Sequence, residues 1–174
     1  MTGEAKKRSN WRCLFLSSGE ITLAQHMNEG GKVTKAGQEI RLLDIPAVTG
    51  SGHGVYESLH GIENGRKFSE ELKKQTLQNY GTAFPAFIEA VIPRREEITR
   101  QLSEHKEEFI REFMPANAAS QVHRVLSRFA LVSAAGECAT LLGITGWDCG
   151  EAKQAAVACF RAWLQQRESG AGMH

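Results

Sequence analysis

Ala116–Leu142, ANAASQVHRVLSRFALVSAAGECATLL, is the most apolar segment of the chain and governs how the rest is read. Val122, Val125, Leu126, Phe129, Leu131, Val132, Leu141 and Leu142 fall on several faces at helical spacing, with alanines between them. A helix that is apolar nearly all round is a buried one. This stretch is therefore expected to be the central helix of a helical assembly, stopped by Gly143.

Working outward, Pro115 separates it from Arg94–Phe113, where Ile98, Leu102, Phe109 and Phe113 recur on one face. The opposite face is charged, with i,i+4 pairs such as Glu107–Arg111. On the other side, Asp148 and Glu151 form a D-x-x-E capping box. The helix it opens places Ala152, Ala155, Ala156, Cys159, Phe160, Trp163 and Leu164 on one stripe. The tail 168–174 is expected to fray. Upstream, Ser69 is a candidate N-cap for a helix ending near Tyr80 and Gly81, and Ala83–Ile92 reads as a short helix with Pro85 in its first turn.

Before residue 66 the chain is rich in glycine and reads differently. Residues 1–10 look like a polar leader. Arg12–Ser17 (RCLFLS) is a short apolar run, expected as a strand. Ser17-Ser18-Gly19-Glu20 fits the S-x-x-E capping box, predicting a helix over Glu20–Asn28 stopped by Gly30-Gly31. Glu39–Ile45 (EIRLLDI) is expected as a second strand, ended by Pro46. Val48–Gly65 reads as a loop with one short element near Val55–Leu59.

The chain has 174 residues, about one domain's worth. Its 41% apolar and 24% charged residues exclude general disorder. Net charge is +1, from 21 basic and 20 acidic residues, so no global field draws it to DNA or a membrane. No apolar run is long enough for a transmembrane helix, and the run after Lys6-Lys7-Arg8 is too short for a signal peptide. A cytoplasmic setting is expected. Cys13, Cys138, Cys149 and Cys159 form no C-x-x-C pair, and Cys138 and Cys159 fall on apolar helix faces as small hydrophobes.

The catalytic inventory is thin: no phosphate-binding G-x-x-x-x-G-K-[ST], no H-E-x-x-H and no G-x-S-x-G occur. Gly50-Ser51-Gly52-His53-Gly54 has the composition of an anion-binding nest, but a plain flexible loop is the favoured reading. His53 and His60 lack a placed carboxylate and are weak metal ligands; no metal is expected. Arg41 is a charge inside a strand pattern, sharing a side with Leu43 and Ile45. It either pairs with a carboxylate at a strand end or reaches a partner. Arg124 and Arg128 share a face of the central helix. They suit phosphates, or a carboxylate from the preceding acidic helix; spacing alone favours the second.

Several blocks together resemble a known family. WRCLFLSSGEITLAQHM, AGQEIRLLDIPA, YESLHG, RFALVSAAGECATLLGITGW and GEAKQAAVACFRAWL stand in the order found in the C-terminal half of the bacterial domain of unknown function 927. The resemblance spans roughly residues 11–167. The family occurs in phage, plasmid and integrative-element proteins and is similar to P-loop ATPases of the AAA+ and superfamily-three helicase kind. Its Walker A and Walker B elements precede the W-R-x-x-x-L-S-x-G-E block and are not in this sequence.

The resemblance implies an α/β fold, mostly α: residues 11–66 as a two-strand remnant of a P-loop ATPase core, then 67–167 as a helical lid-like bundle. It implies that Ser17 and Ser18 are sensor-one-like, that Arg41 is arginine-finger-like and acts in trans, and that Arg128 and Arg124 are sensor-two-like. ATP and Mg²⁺ would be held only with a Walker-bearing partner, either an ATPase half or homologous subunits. DNA is a partner by resemblance alone. The expectation is a helicase-like ATPase fragment that is inactive by itself; the rival is a stand-alone helical interaction module.

Overall fold

A computed structural model of the chain describes residue 10 and residues 15–171. The described residues are mostly helical and contain no β-strand. The chain divides into two compact units, residues 1–35 and 36–174.

In the first unit, α1 spans Leu23–Glu29. Its capping box is Thr22–Gln25: the Thr22 hydroxyl accepts from the Gln25 amide at 3.1 Å, and the Gln25 side chain accepts from the Thr22 amide at 3.0 Å. The helix therefore begins later than the Ser17–Glu20 box predicts, because Thr22-x-x-Gln25 offers the same reciprocal bonding next to the helical run. Gly30 closes it, and Gly31 follows at φ +70°. Of the strand expected over 12–17, residues 12–14 lie outside the described residues, and 15–17 form no strand.

In the second unit, the strand expected over Glu39–Ile45 is replaced by a helical turn, α2 (Ala36–Glu39), and a bend in which the Arg41 amide donates to the Gln38 carbonyl at 2.9 Å. The physical reason is tertiary. Ile40 is buried in the helical core, and Leu43 packs against it. Arg128 donates to the Ile40 carbonyl, taking the place of a sheet neighbour. The α/β expectation is corrected accordingly: no two-strand core piece exists among the described residues.

The glycine-rich loop is tightly hydrogen-bonded. The Thr49 hydroxyl donates to the Gly54 and Tyr56 carbonyls, and the Ser51 hydroxyl donates to the Tyr56 carbonyl. Gly50, Gly52 and Gly54 all have positive φ, which only glycine adopts without strain. Then α3 (Gly65–Gln78) is capped by Asn64, whose side chain accepts from the Lys67 amide at 3.0 Å. Ser69, the expected cap, lies inside the helix and bonds back to the Gly65 carbonyl and to the Tyr56 hydroxyl.

Next come α4 (Ala83–Val91), a 3-10 turn at Ile92–Arg94 around Pro93, and α5 (Arg95–Phe113). Then follow α6 (Ser120–Leu141) and α7 (Glu151–Ala171). The central helix starts later than its composition suggests, because Asn117 at φ +57° turns the chain first. It packs against both α5 and α7. Phe109, Val125, Leu126, Ala130, Phe160 and Trp163 form the core around it. Burying each of the large side chains contributes about 1.5–3 kcal/mol. At Gly136 the helices approach so closely that an added Cβ would lie 2.6 Å from the Ala152 Cβ. No helix among the described residues is long and apolar enough to cross a membrane.

Two substitutions test this packing. Phe160→Ala is expected to cost about 3–5 kcal/mol through the cavity it leaves. Gly136→Val is expected to cost about 1–3 kcal/mol by forcing α6 and α7 apart. Each should appear as a lower urea midpoint at unchanged slope.

Candidate functional site

The residues singled out in the sequence separate into two groups. Ser17 and Ser18 belong to the first unit, exposed on irregular chain before α1. Arg41, Arg124 and Arg128 belong to the second, where the fold draws two of them together. Arg128 reaches from α6 to the Ile40 carbonyl. The next residue is Arg41, held on the bend with its side chain exposed. Arg124 lies one helical turn before Arg128 on the same face. None of the three makes an ion pair with a described residue.

Apart from Arg128, which meets the Ile40 carbonyl, that face of α6 carries side chains outside the core. Val122, Val125, Leu126, Phe129, Ser133 and Ala134 point inward, whereas Arg124, Arg128, Leu131, Val132 and Ala135 are exposed. Leu131 and Val132 are 54% and 57% exposed, a large fraction for mid-helix aliphatic residues. The expectation of a helix buried on all sides therefore holds for only one side of it.

A second polar assembly, which sequence reasoning did not anticipate, lies where α5, α6 and the start of α7 meet. A cleft of about 270 Å³ is lined by residues including His105, Glu108, Glu137, Cys149 and Lys153. Here Glu137 caps α7 from another helix. Its two carboxylate oxygens accept from the Gly150 amide at 2.8 Å and the Lys153 amide at 2.9 Å, where a negative charge is favoured by the helix dipole. The D-x-x-E box supplies the other half, with the Glu151 carboxylate accepting from the Asp148 amide at 3.0 Å. Lys153 pairs with Glu112 at 2.7 Å and lies over the Phe113 ring.

In the same region the His105 ring nitrogen Nε2 and the Ser133 hydroxyl are 2.8 Å apart. Ser133 is wholly buried, so its hydroxyl is closed to a substrate. Both Glu137 oxygens are already engaged. The assembly thus joins three helices through side-chain hydrogen bonds. Its sequence signal is faint: Glu137 and Ser133 stand out only as polar residues in an apolar helix, and their partners lie far along the chain.

Among the described residues, no group of three or more His, Cys, Asp and Glu is placed to hold a metal ion. His53 is exposed on the glycine loop, and His60 lies against the Phe68 ring. Burial pushes the Cys138 thiol up from its ordinary value, opposed by the charge of Arg94. Comparison with protein-family models, with curated proteins and with solved structures gives no match.

Removing the Glu137 carboxylate tests its capping role. Glu137→Ala leaves two amides at the start of α7 without an acceptor and is expected to cost about 1–3 kcal/mol. Glu137→Gln keeps one acceptor oxygen and should cost less. Urea melts of the two variants give the comparison.

Proposed function

We propose that the chain is a helical protein-interaction module that presents the outward face of α6, together with Arg41, to a partner. The observation that carries this reading is the Arg128–Ile40 contact. It fixes the bend so that Arg41 is held outward without an ion pair. It does so beside a face where Arg124, Leu131 and Val132 are also exposed. Charged and apolar side chains held together on rigid elements, with no role in the core, are what an interface requires.

The exposed Arg41 also favours a second reading, drawn from the family resemblance. In it the chain is a piece of a mobile-element, helicase-like ATPase, catalysing nothing alone. Arg41 acts as a finger in a neighbouring site, where its charge offsets that of the transferring phosphoryl group. Ser17 and Ser18 serve as sensor one, and Arg128 and Arg124 as sensor two. Because Arg128 is already committed to the Ile40 carbonyl, Arg124 is the freer of that pair. A Walker-bearing partner brings ATP and Mg²⁺, DNA is a partner by the family resemblance alone, and the setting is cytoplasmic.

Thermal melts test the first reading. Arg41→Ala and Leu131→Asp should leave the melting temperature of the monomer unchanged. Arg128→Ala should lower stability by about 1.5–3 kcal/mol, the range for a charged hydrogen bond. A clear destabilisation by Arg41→Ala would return that residue to a folding role and defeat the module. For the second reading, Arg41→Ala should abolish stimulation of a Walker-bearing partner's hydrolysis. ATP turnover by the purified chain would overturn both readings.

A further inference from the structure

Besides the outward face of α6, the second unit leaves the apolar helix α4 exposed. Its sequence, AFPAFIEAV, is almost wholly apolar, yet none of its residues is buried. Phe84 is 72% exposed, and Ile92, in the following turn, is 67% exposed. Phe84, Ile88 and Ile92 recur at helical spacing and form one exposed ridge, flanked by the half-buried Phe87 and Val91.

The two surfaces complement each other in size and in charge. The α4 ridge carries large side chains. The α6 face has a small residue, Ala135, set between Leu131 and the following turns. Packing a ridge of large residues into a groove over small ones is how helices dock. Within α4 the only charge is Glu89, exposed and without an ion pair among the described residues. The α6 face offers Arg124, equally unpaired.

We propose that the occupant of the outward α6 face is α4 of a second copy of this chain, with Glu89 of one copy meeting Arg124 of the other. This names the partner for the face assigned above and rests on that reading. Exchange in both directions makes the contact isologous, so that it closes as a dimer. It also covers the α4 and α6 surfaces of both copies at once. A single nine-residue helix on one face falls well short of the roughly 800 Å² per partner of a stable interface; reciprocal exchange doubles the contact.

The test is sedimentation equilibrium of the full chain from low micromolar to several hundred micromolar, with melts at the low end. The expected result is a concentration-dependent dimer. Phe84→Asp and Leu131→Asp should each weaken it by at least about tenfold, as expected when a large apolar contact is lost. Both should leave the monomer's melting temperature unchanged. Glu89→Arg and Arg124→Glu should each weaken it by roughly two- to fivefold, the range of an exposed ion pair, and the double variant should recover. A chain that is monomeric throughout, or a dimer indifferent to Phe84→Asp and Leu131→Asp, would overturn the proposal. So would a Phe84→Asp monomer that melts lower, since α4 would then pack within its own chain. In each case the interaction-module reading is judged separately, by the melts of Arg41→Ala and Leu131→Asp.

Discussion

At Gly136 α6 and α7 approach with no room for a side chain against Ala152, and the packing of the bundle depends on that approach. One residue further along α6, the Glu137 carboxylate reaches the first amides of α7. Proximity and capping reinforce each other: the close crossing brings the carboxylate within bonding distance, and the bonds hold α7 in register along α6. That register places Phe160 and Trp163 over Phe129 and the rest of the core. A capping side chain from a different helix ties secondary structure to tertiary packing, so neither forms fully without the other.

The Arg128–Ile40 contact extends the same logic to the segment before the bundle. A buried backbone carbonyl needs a donor. In a sheet the donor would come from a neighbouring strand; here it is a guanidinium from α6. The contact lets Ile40 enter the core and leaves its neighbour Arg41 facing out. A single hydrogen bond thus separates a residue used for folding from one available for other work. Arg128 is correspondingly less free than Arg124, although the two occupy equivalent positions on the helix.

The helices from residue 65 onward were legible in the sequence because their apolar spacing, proline breaks and glycine stops agree with one another. The segment at 39–45 was not. Alternating apolar residues predict a strand, but a strand needs a partner to bond with, and an isolated alternation says nothing about whether one exists. Burial of Ile40 by a helix distant in the chain decided the outcome instead. The same limit applies to the site. Arg41, Arg124 and Arg128 could each be picked out as charges in apolar patterns. Only the fold shows that Arg128 contacts the residue beside Arg41. Likewise, the pairing of His105 with Ser133 and of Glu137 with α7 depends on helix register, which local spacing does not encode.

The state of α4 follows from helix thermodynamics. A nine-residue helix is shorter than an isolated helix needs to be stable in water. Its sequence offers no side-chain N-cap, since Thr82 makes no capping bond. Its main contact with another element is the 3-10 turn that carries it into α5. Phe87 and Val91 are half-buried, but the helix gains little from Phe84, Ile88 and Ile92 unless they are covered. The residues that form the ridge are therefore costly to expose and of little use to the core they stand beside. In the same unit, the outward face of α6 has the converse property: it is already helical and holds Leu131 and Val132 exposed, outside the core. A marginal helix with an apolar ridge and a stable helix with an open apolar face have complementary needs, and association satisfies both with a single contact.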